Sequence, residues 1–133
     1  NVKFFFVNLF AANDPSSTLK IFYQIKERFI NLPCCIFLNT RDDRRYRTHQ
    51  LLDLVYKKIK PNFFVIRGEN LPEKYNEYRQ EYKSILTRRI PYNASVIQVV
   101  KEFTQFNDYY VVGIGNIVGW GEKFIKKLKE YQA

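Results

Sequence analysis

The 133-residue chain is 46% hydrophobic and carries a formal net charge of +9, enough apolar material for one ordinary core and too little length for two. No apolar run approaches the roughly 20 residues that a membrane-spanning helix needs, and no basic and apolar leader with a cleavage site is present. The chain opens at Asn1 without a methionine, so it is expected to be a single domain cut from a longer polypeptide.

In chain order the sequence reads as repeated strand and helix units. Residues 3–9 form a strand; Pro15 or Ser16 then opens a helix carrying Leu19, Phe22, Ile25, Phe29 and Ile30, and Pro33 ends the connection. Residues 34–39 are the next strand, followed by a helix over 43–60 with Leu51, Leu52, Val55 and Ile59 on one side, which Pro61 breaks. A third strand covers 63–67 and ends in a polar turn over 67–72. The segment 73–92 mixes a charged, tyrosine-bearing helix with a short edge strand at 84–88. A helix over 93–106 follows, with Val96, Val99, Val100 and Phe103 inward and Asn93 or Ser95 as its cap. A strand at 109–112 and a lysine-rich amphipathic helix at 122–131 close the chain. Strands joined by helices of this length predict an α/β domain, three-layered, with mainly parallel pairing and right-handed crossovers.

The adjacent Cys34 and Cys35 point to opposite faces of their strand. They cannot form a metal cluster, and a disulfide between neighbours would be strained, so reduced, buried thiols of an intracellular protein are expected. His49, the one histidine, has no ligand partners at metal spacing and reads as a surface or hydrogen-bonding residue of its helix. Ser16, Ser17 and Ser84 lack a nucleophile-elbow setting. No complete catalytic set is visible.

Positive charge is concentrated: residues 41–60 hold seven Lys or Arg against three Asp, whereas 93–133 hold five against four. Arg41, Arg44, Arg45 and Arg47 directly follow a strand, where guanidinium forks suit phosphate or carboxylate; a solvated helix start is the other reading. No recognition helix or paired aromatic strand accompanies the charge, so nucleic acid is not an expected partner.

Two strand-terminal loops hold the remaining polar signals. Residues 10–18 include Asn13, Asp14 and Pro15, which read either as an ordinary helix start or as a turn that aims Asn13 at a ligand and leaves the amides of residues 16–18 for an anion. Asn8 and Asn39, polar at the carboxyl ends of apolar strands, fit a crevice there. In residues 113–121 the glycines 113, 115, 119 and 121 match neither a dinucleotide fingerprint nor an ATP-cradling loop. They either let backbone amides approach a ligand beside Asn116 or relieve a crowded turn.

Taken in order, residues 7–18, residues 38–44 with Arg47 and Gln50, residues 67–69 and residues 113–121 resemble the carboxyl-terminal domain of the poly-gamma-glutamate synthase ligase subunit of the PgsB/CapB type. That family is similar to the Mur ligases of peptidoglycan synthesis and to folylpolyglutamate synthase. The resemblance covers nearly the whole chain and implies a Rossmann-like domain of the Mur ligase carboxyl-terminal kind. For the full-length protein it implies an ATP-dependent ligase that phosphorylates a glutamate or peptide carboxylate, after which an incoming amine attacks the acyl phosphate. ATP and Mg2+ would be held mainly by a preceding ATP-binding domain of the same polypeptide, so this fragment alone would be inactive. Glutamate, anionic polyglutamate and small membrane subunits are the implied partners, and the inner face of the cell membrane the implied location.

Carried onto this chain, the resemblance implies nucleotide contacts from Asn13, Asp14, Arg41 and Arg44, and substrate contacts from Glu69, Gly115, Asn116, Gly119 and Gly121. The chain has Asn8 where Mur ligases commonly place an acidic residue, and lacks their Lys-Gly-Ser type loop at 113–121. Two other classes stand beside this reading: a non-enzymatic nucleotide- or anion-binding domain, and an interaction module whose lysine-rich last helix contacts a membrane complex.

Overall fold

The computed structural model describes residues 4–10, 12 and 14–132. Five parallel strands, β1 Phe4–Leu9, β2 Cys34–Asn39, β3 Phe63–Arg67, β4 Leu86–Ile90 and β5 Tyr109–Gly115, form one sheet in the order β1-β5-β2-β3-β4. Helices α1 Pro15–Arg28, α2 Arg45–Asp53 and α3 Glu73–Glu81 pack on one face; α4 Val96–Phe103 and α5 Trp120–Lys129 pack on the other. This is the three-layer α/β architecture predicted from the alternation of elements.

The central position of β2 explains its composition. All six of its residues are buried, as a strand covered by helices on both sides requires. Cys34, Ile36 and Leu38 face α1 and α2, while Cys35 and Phe37 face α4 and α5. Both cysteines are free, and burial pushes the Cys34 thiol up to about 12 and that of Cys35 well above its ordinary value, so neither is a ready nucleophile.

The second face is a cluster of phenyl rings. Phe37 stands at its centre, with ring centroids 5.1 Å from Phe103, 5.1 Å from Phe124 and 5.9 Å from Phe10. Gly113 makes room for these rings, since a Cβ there would lie 2.7 Å from Phe10 and 2.8 Å from Phe6.

Several boundaries differ from the sequence reading. The helix expected over 43–60 is three pieces: a 3-10 turn Asp42–Arg44, α2, and a π-helical extension Leu54–Ile59. The extension ends with the Lys60 amide donating to Val55 O at 2.8 Å and Lys60 itself at φ 51°, an exit from helical geometry just where the following Pro61 disfavours it. Helix α1 stops at Arg28, which leaves Ile30 outside it and 73% exposed. The edge strand begins at Leu86 rather than residue 84, because the turn after α3 uses residues 82–85, closed by the Ile85 amide on Tyr82 O. Helix α4 is shorter than the expected 93–106, with Ser95 as its cap in a reciprocal pair with Gln98. Strand β5 runs three residues past Val112 and takes in two of the loop glycines, and α5 begins two residues early. The start expected at Lys3 lies outside the described residues.

Replacing Phe37 by Ala removes the ring on which Phe10, Phe103 and Phe124 converge and leaves a cavity that the sheet cannot close. We expect Phe37→Ala to lose about 3–5 kcal/mol of unfolding free energy, measured as a lower urea midpoint at unchanged slope.

Candidate functional site

Chain topology singles out one place on the sheet. Strands β5 and β2 are neighbours, yet the chain leaves β2 towards α2 on one face and leaves β5 towards α5 on the other. Connections that part in this way open a crevice at the carboxyl ends of the strands. A hollow of about 180 Å³ lies there, with Phe10, Leu38, Leu51 and Ile117 as its apolar lining and Asn39, Thr40 and Asn116 as its neutral polar lining.

The wall of this hollow is set by Asn39, the last residue of β2 and 0% exposed. It pairs laterally with Gly115 on one side and Arg67 on the other. Its backbone carbonyl accepts from the Asn116 amide at 2.8 Å, and its side-chain Nδ2 donates to Asn116 O at 2.9 Å. Gly115 permits that approach: its φ is 98°, and a Cβ there would fall 2.3 Å from Asn39 O. Gly121 likewise admits Asn116 O, which would stand 2.7 Å from an added Cβ. Asn116 spends its own side chain on the turn, accepting from the Val118 amide and donating to Val118 O, both at 3.2 Å. Gly119 is the N-cap of α5, its amide held by Glu122 Oε1 at 2.9 Å.

The opposite wall is basic. The short turn after β2 and the first turn of α2 bring Arg41, Arg44 and Arg47 to the hollow. Arg41 pairs with Asp43 at 2.7 Å on the exposed surface, and Arg45 turns away to donate to Asn70 O at 2.7 Å. Among the described residues no ion pair engages Arg44 or Arg47. Two guanidinium groups without a direct ion pair among the described residues, over a polar wall and with the Asp14 carboxylate acting on Arg47 from a distance, suit one carboxylate or phosphate.

Of the residues singled out in the sequence, Arg41, Arg44, Gly115 and Asn116 therefore meet at one crevice. Gly119 lies in the adjoining turn and Gly121 in the first turn of α5. Glu69 lies elsewhere, in a wider hollow of about 480 Å³ lined also by Gly68, Arg89, Pro91, Tyr92 and Asn93. Asn13 lies outside the described residues. Asp14 is the N-cap of α1, taking the Ser17 amide at 2.8 Å and the Ser17 hydroxyl at 3.1 Å. Of the two readings of this turn, the structure shows the ordinary helix start rather than amides left for an anion: the Ser17 amide goes to the cap and the Thr18 amide to Asp14 O. The chain's own carboxylate already occupies the positive end of this helix.

The sequence marks Arg67 as the end of a strand, the start of a polar turn and part of the 67–69 motif, and assigns it no role of its own. The structure buries it to 4% exposure at the carboxyl end of β3. Its Nη1 donates to Asn39 Oδ1 at 2.8 Å and its Nη2 to Tyr92 O at 2.6 Å. The guanidinium lies 4.1 Å from the Trp120 ring centre and 4.5 Å from that of Tyr92. A signal existed: alternation from Phe63 and Val65 puts residue 67 on the α4 and α5 face, where an arginine is out of character.

Comparisons with known proteins bear on this geometry. Residues 1–131 match the family described as the poly-gamma-glutamate synthase CapB C-terminal domain. The chain is 32% identical over 141 aligned positions to the PGA synthase CapB of Bacillus subtilis (strain 168), covering 96% of this chain and 33% of that protein. It is 34% identical over 143 positions to the capsule biosynthesis protein CapB of Bacillus anthracis, covering 96% of this chain and 28% of that one. The chain thus spans about a third of the length of these relatives. Its fold matches a crystal structure of a domain attributed to a UDP-N-acetylmuramate:L-alanyl-gamma-D-glutamyl-meso-diaminopimelate ligase from Haemophilus ducreyi 35000HP, with a TM-score of 0.56 at 14% identity, covering 98% of this chain and 93% of that one.

The cap at Asp14 makes a pH-dependent contribution. Hydrogen bonds from Ser17 hold its carboxyl below the usual 3.8, against a smaller opposing effect of desolvation and with help from Arg47. A depressed carboxylate stabilises the fold above its unfolded value and loses that effect as pH falls through its folded value. Asp14→Ala is therefore expected to lower the melting temperature at pH 7, with the gap to wild type narrowing as pH drops below 3.8, read by thermal melts across pH 2–7.

Proposed function

The chain belongs to the poly-gamma-glutamate synthase CapB C-terminal domain family, and from that membership we propose that it is the closing domain of an ATP-dependent ligase that adds glutamate to a poly-gamma-glutamate polymer. The observation that carries this reading is the convergence of Arg41, Arg44 and Arg47 on one hollow at the carboxyl edge of β2 and β5. ATP, glutamate and polyglutamate are all anions, and a positive crevice gathers them and screens their mutual repulsion.

The residues present fit an anion and do not fit a magnesium ion. Three arginines and no carboxylate line the hollow among the described residues, whereas Mg2+ is typically held by one or two carboxylates beside phosphate oxygens; the nearby Asp43 and Asp14 are engaged by Arg41 and by the α1 cap. We therefore assign Mg2+ and most nucleotide contacts to the preceding domain of the longer protein. ATP supplies the phosphoryl group that activates a carboxylate for attack by an amine. The part left to this chain is orientation: Arg44 and Arg47 hold an oxyanion against the Asn39 and Asn116 wall. Apposition of the two domains would then exclude water from an acyl phosphate that otherwise hydrolyses. On this reading the 133-residue chain alone is inactive, and the protein works on the cytoplasmic side of the membrane beside small membrane subunits; no helix among the described residues is long and apolar enough to cross a membrane.

The test is glutamate-dependent ADP release by the longer natural protein and its Arg44→Ala variant at matched ATP and magnesium. Wild type should release ADP only when glutamate is present, and Arg44→Ala should lose about tenfold or more of that rate, the cost of one charge-assisted contact, with its urea midpoint unchanged. Full activity in the folded variant would remove the arginine crevice from the mechanism. Pyrophosphate binding without any glutamate-dependent release, even with the membrane subunits supplied, would favour the non-enzymatic anion-binding reading.

A further inference from the structure

A buried arginine is costly, and no carboxylate makes a direct ion pair with Arg67 among the described residues; burial outweighs Asp42, which favours its charge only from a distance. Its Nε has no hydrogen-bond partner among those residues. Desolvation of a lone cation in the interior disfavours folding, whereas an apolar side chain of similar volume would fill the same space at no such cost. What the guanidinium supplies instead is geometry. It offers donors only, so the atom of Asn39 that faces it must be Oδ1. Fixing Oδ1 sends Nδ2 towards Asn116 O, where it donates at 2.9 Å. The second arm of the fork ties the same centre to Tyr92 O in the β4–α4 connection, and Trp120, the first residue of α5, closes over its face.

We propose that Arg67 is a positioning residue for the arginine-lined crevice: its guanidinium fork sets the amide of Asn39 and, through it, the Asn116 turn, so that an anion held by Arg44 and Arg47 meets a preformed wall. Arg67 itself does not touch the anion, because it is buried behind Asn39 and does not line the hollow. The inference rests on the anion-binding reading of that crevice. It adds that the crevice is not an isolated surface feature, since one side chain links it to the wider hollow that Tyr92 and Glu69 share.

The test titrates inorganic pyrophosphate calorimetrically into the 133-residue chain as wild type, Arg67→Lys, Arg67→Met and, to report the crevice itself, Arg44→Ala. Each is kept well below its own thermal transition. Arg67→Met should bind about tenfold more weakly, the loss associated with a charge-assisted hydrogen bond. Arg67→Lys should recover part of that loss, since one ammonium can reach Asn39 but cannot serve both acceptors of the fork. Hydrogen exchange at the Asn116 amide should quicken in both variants while that of Val112, in the middle of β5, stays slow; a general loosening of the fold would move both. Wild-type affinity in the Arg67 variants, with binding lost in Arg44→Ala, would overturn this inference and leave the proposed function standing. No binding by the folded wild-type chain would overturn the anion reading of the crevice and the inference with it. Should Arg67→Met fail to fold, Arg67→Lys decides alone, and affinity equal to wild type would refute the positioning role.

Discussion

Asn39 ends a strand that is buried along its whole length, so a polar side chain there is admissible only if every polar atom is answered. An unpaired amide in such a place costs about 1–3 kcal/mol. Oδ1 is met by Arg67 and Nδ2 by Asn116 O, while the backbone carbonyl takes the Asn116 amide. Three strands are thereby tied at one level of the sheet, because Gly115, Asn39 and Arg67 pair side by side across β5, β2 and β3. The neighbouring features follow from this tie. Gly115 must lack a side chain, and the turn over 116–118 must close where it does. Thr40 must turn back so that its amide and hydroxyl both reach Arg67 O, at 3.0 and 2.8 Å.

The same tie explains why the crevice is basic on one wall only. The β5 side is built from backbone and amide groups already committed to one another. Charge can enter only from the β2 side, where the chain leaves the sheet in a 3-10 turn that packs Asp42, Asp43 and Arg44 into one short bend. The turn spaces the arginines unequally in use: Arg41 is engaged by Asp43 and Arg45 by the β3 loop, which leaves Arg44 and Arg47 facing the hollow.

Much of this architecture is legible in the sequence, and what is not has identifiable causes. Runs such as those of β2 and β3 are apolar and bounded by Pro or polar residues, so their limits read correctly. Gly113 and Gly115 read as loop because glycine is poor in strands, and only the lateral approach of Phe6, Phe10 and Asn39 O makes a missing side chain necessary within β5. The π-helical turn after α2 escapes notice because Leu51, Leu52, Val55 and Ile59 fit an ordinary helical face equally well. The arginines after β2 could be picked out by position, yet their allotment to Asp43, Asn70 O or the hollow depends on contacts up to 25 residues apart in sequence. Arg67 is the clearest case, for its partners Asn39, Tyr92 and Trp120 come from three other segments and no local pattern joins them.

On the proposed function, the magnitude of the electrostatic effect favours a site completed from outside the chain. Two unit charges 4 Å apart attract by about 1 kcal/mol in water but by about 4 kcal/mol at the effective dielectric of a partly enclosed protein site. Arg44 and Arg47 are exposed at the rim of an open hollow, so an anion bound there in the isolated domain keeps part of its hydration and is screened by salt. Covering the hollow changes the balance without adding a contact, since displaced water raises the worth of each guanidinium several-fold. A rigid polar wall behind the anion matters most in that closed state, where a misplaced amide can no longer be compensated by solvent. On the proposed function, the buried cation at Arg67 and its cost are then intelligible as the price of a wall already in place when a covering domain meets the site.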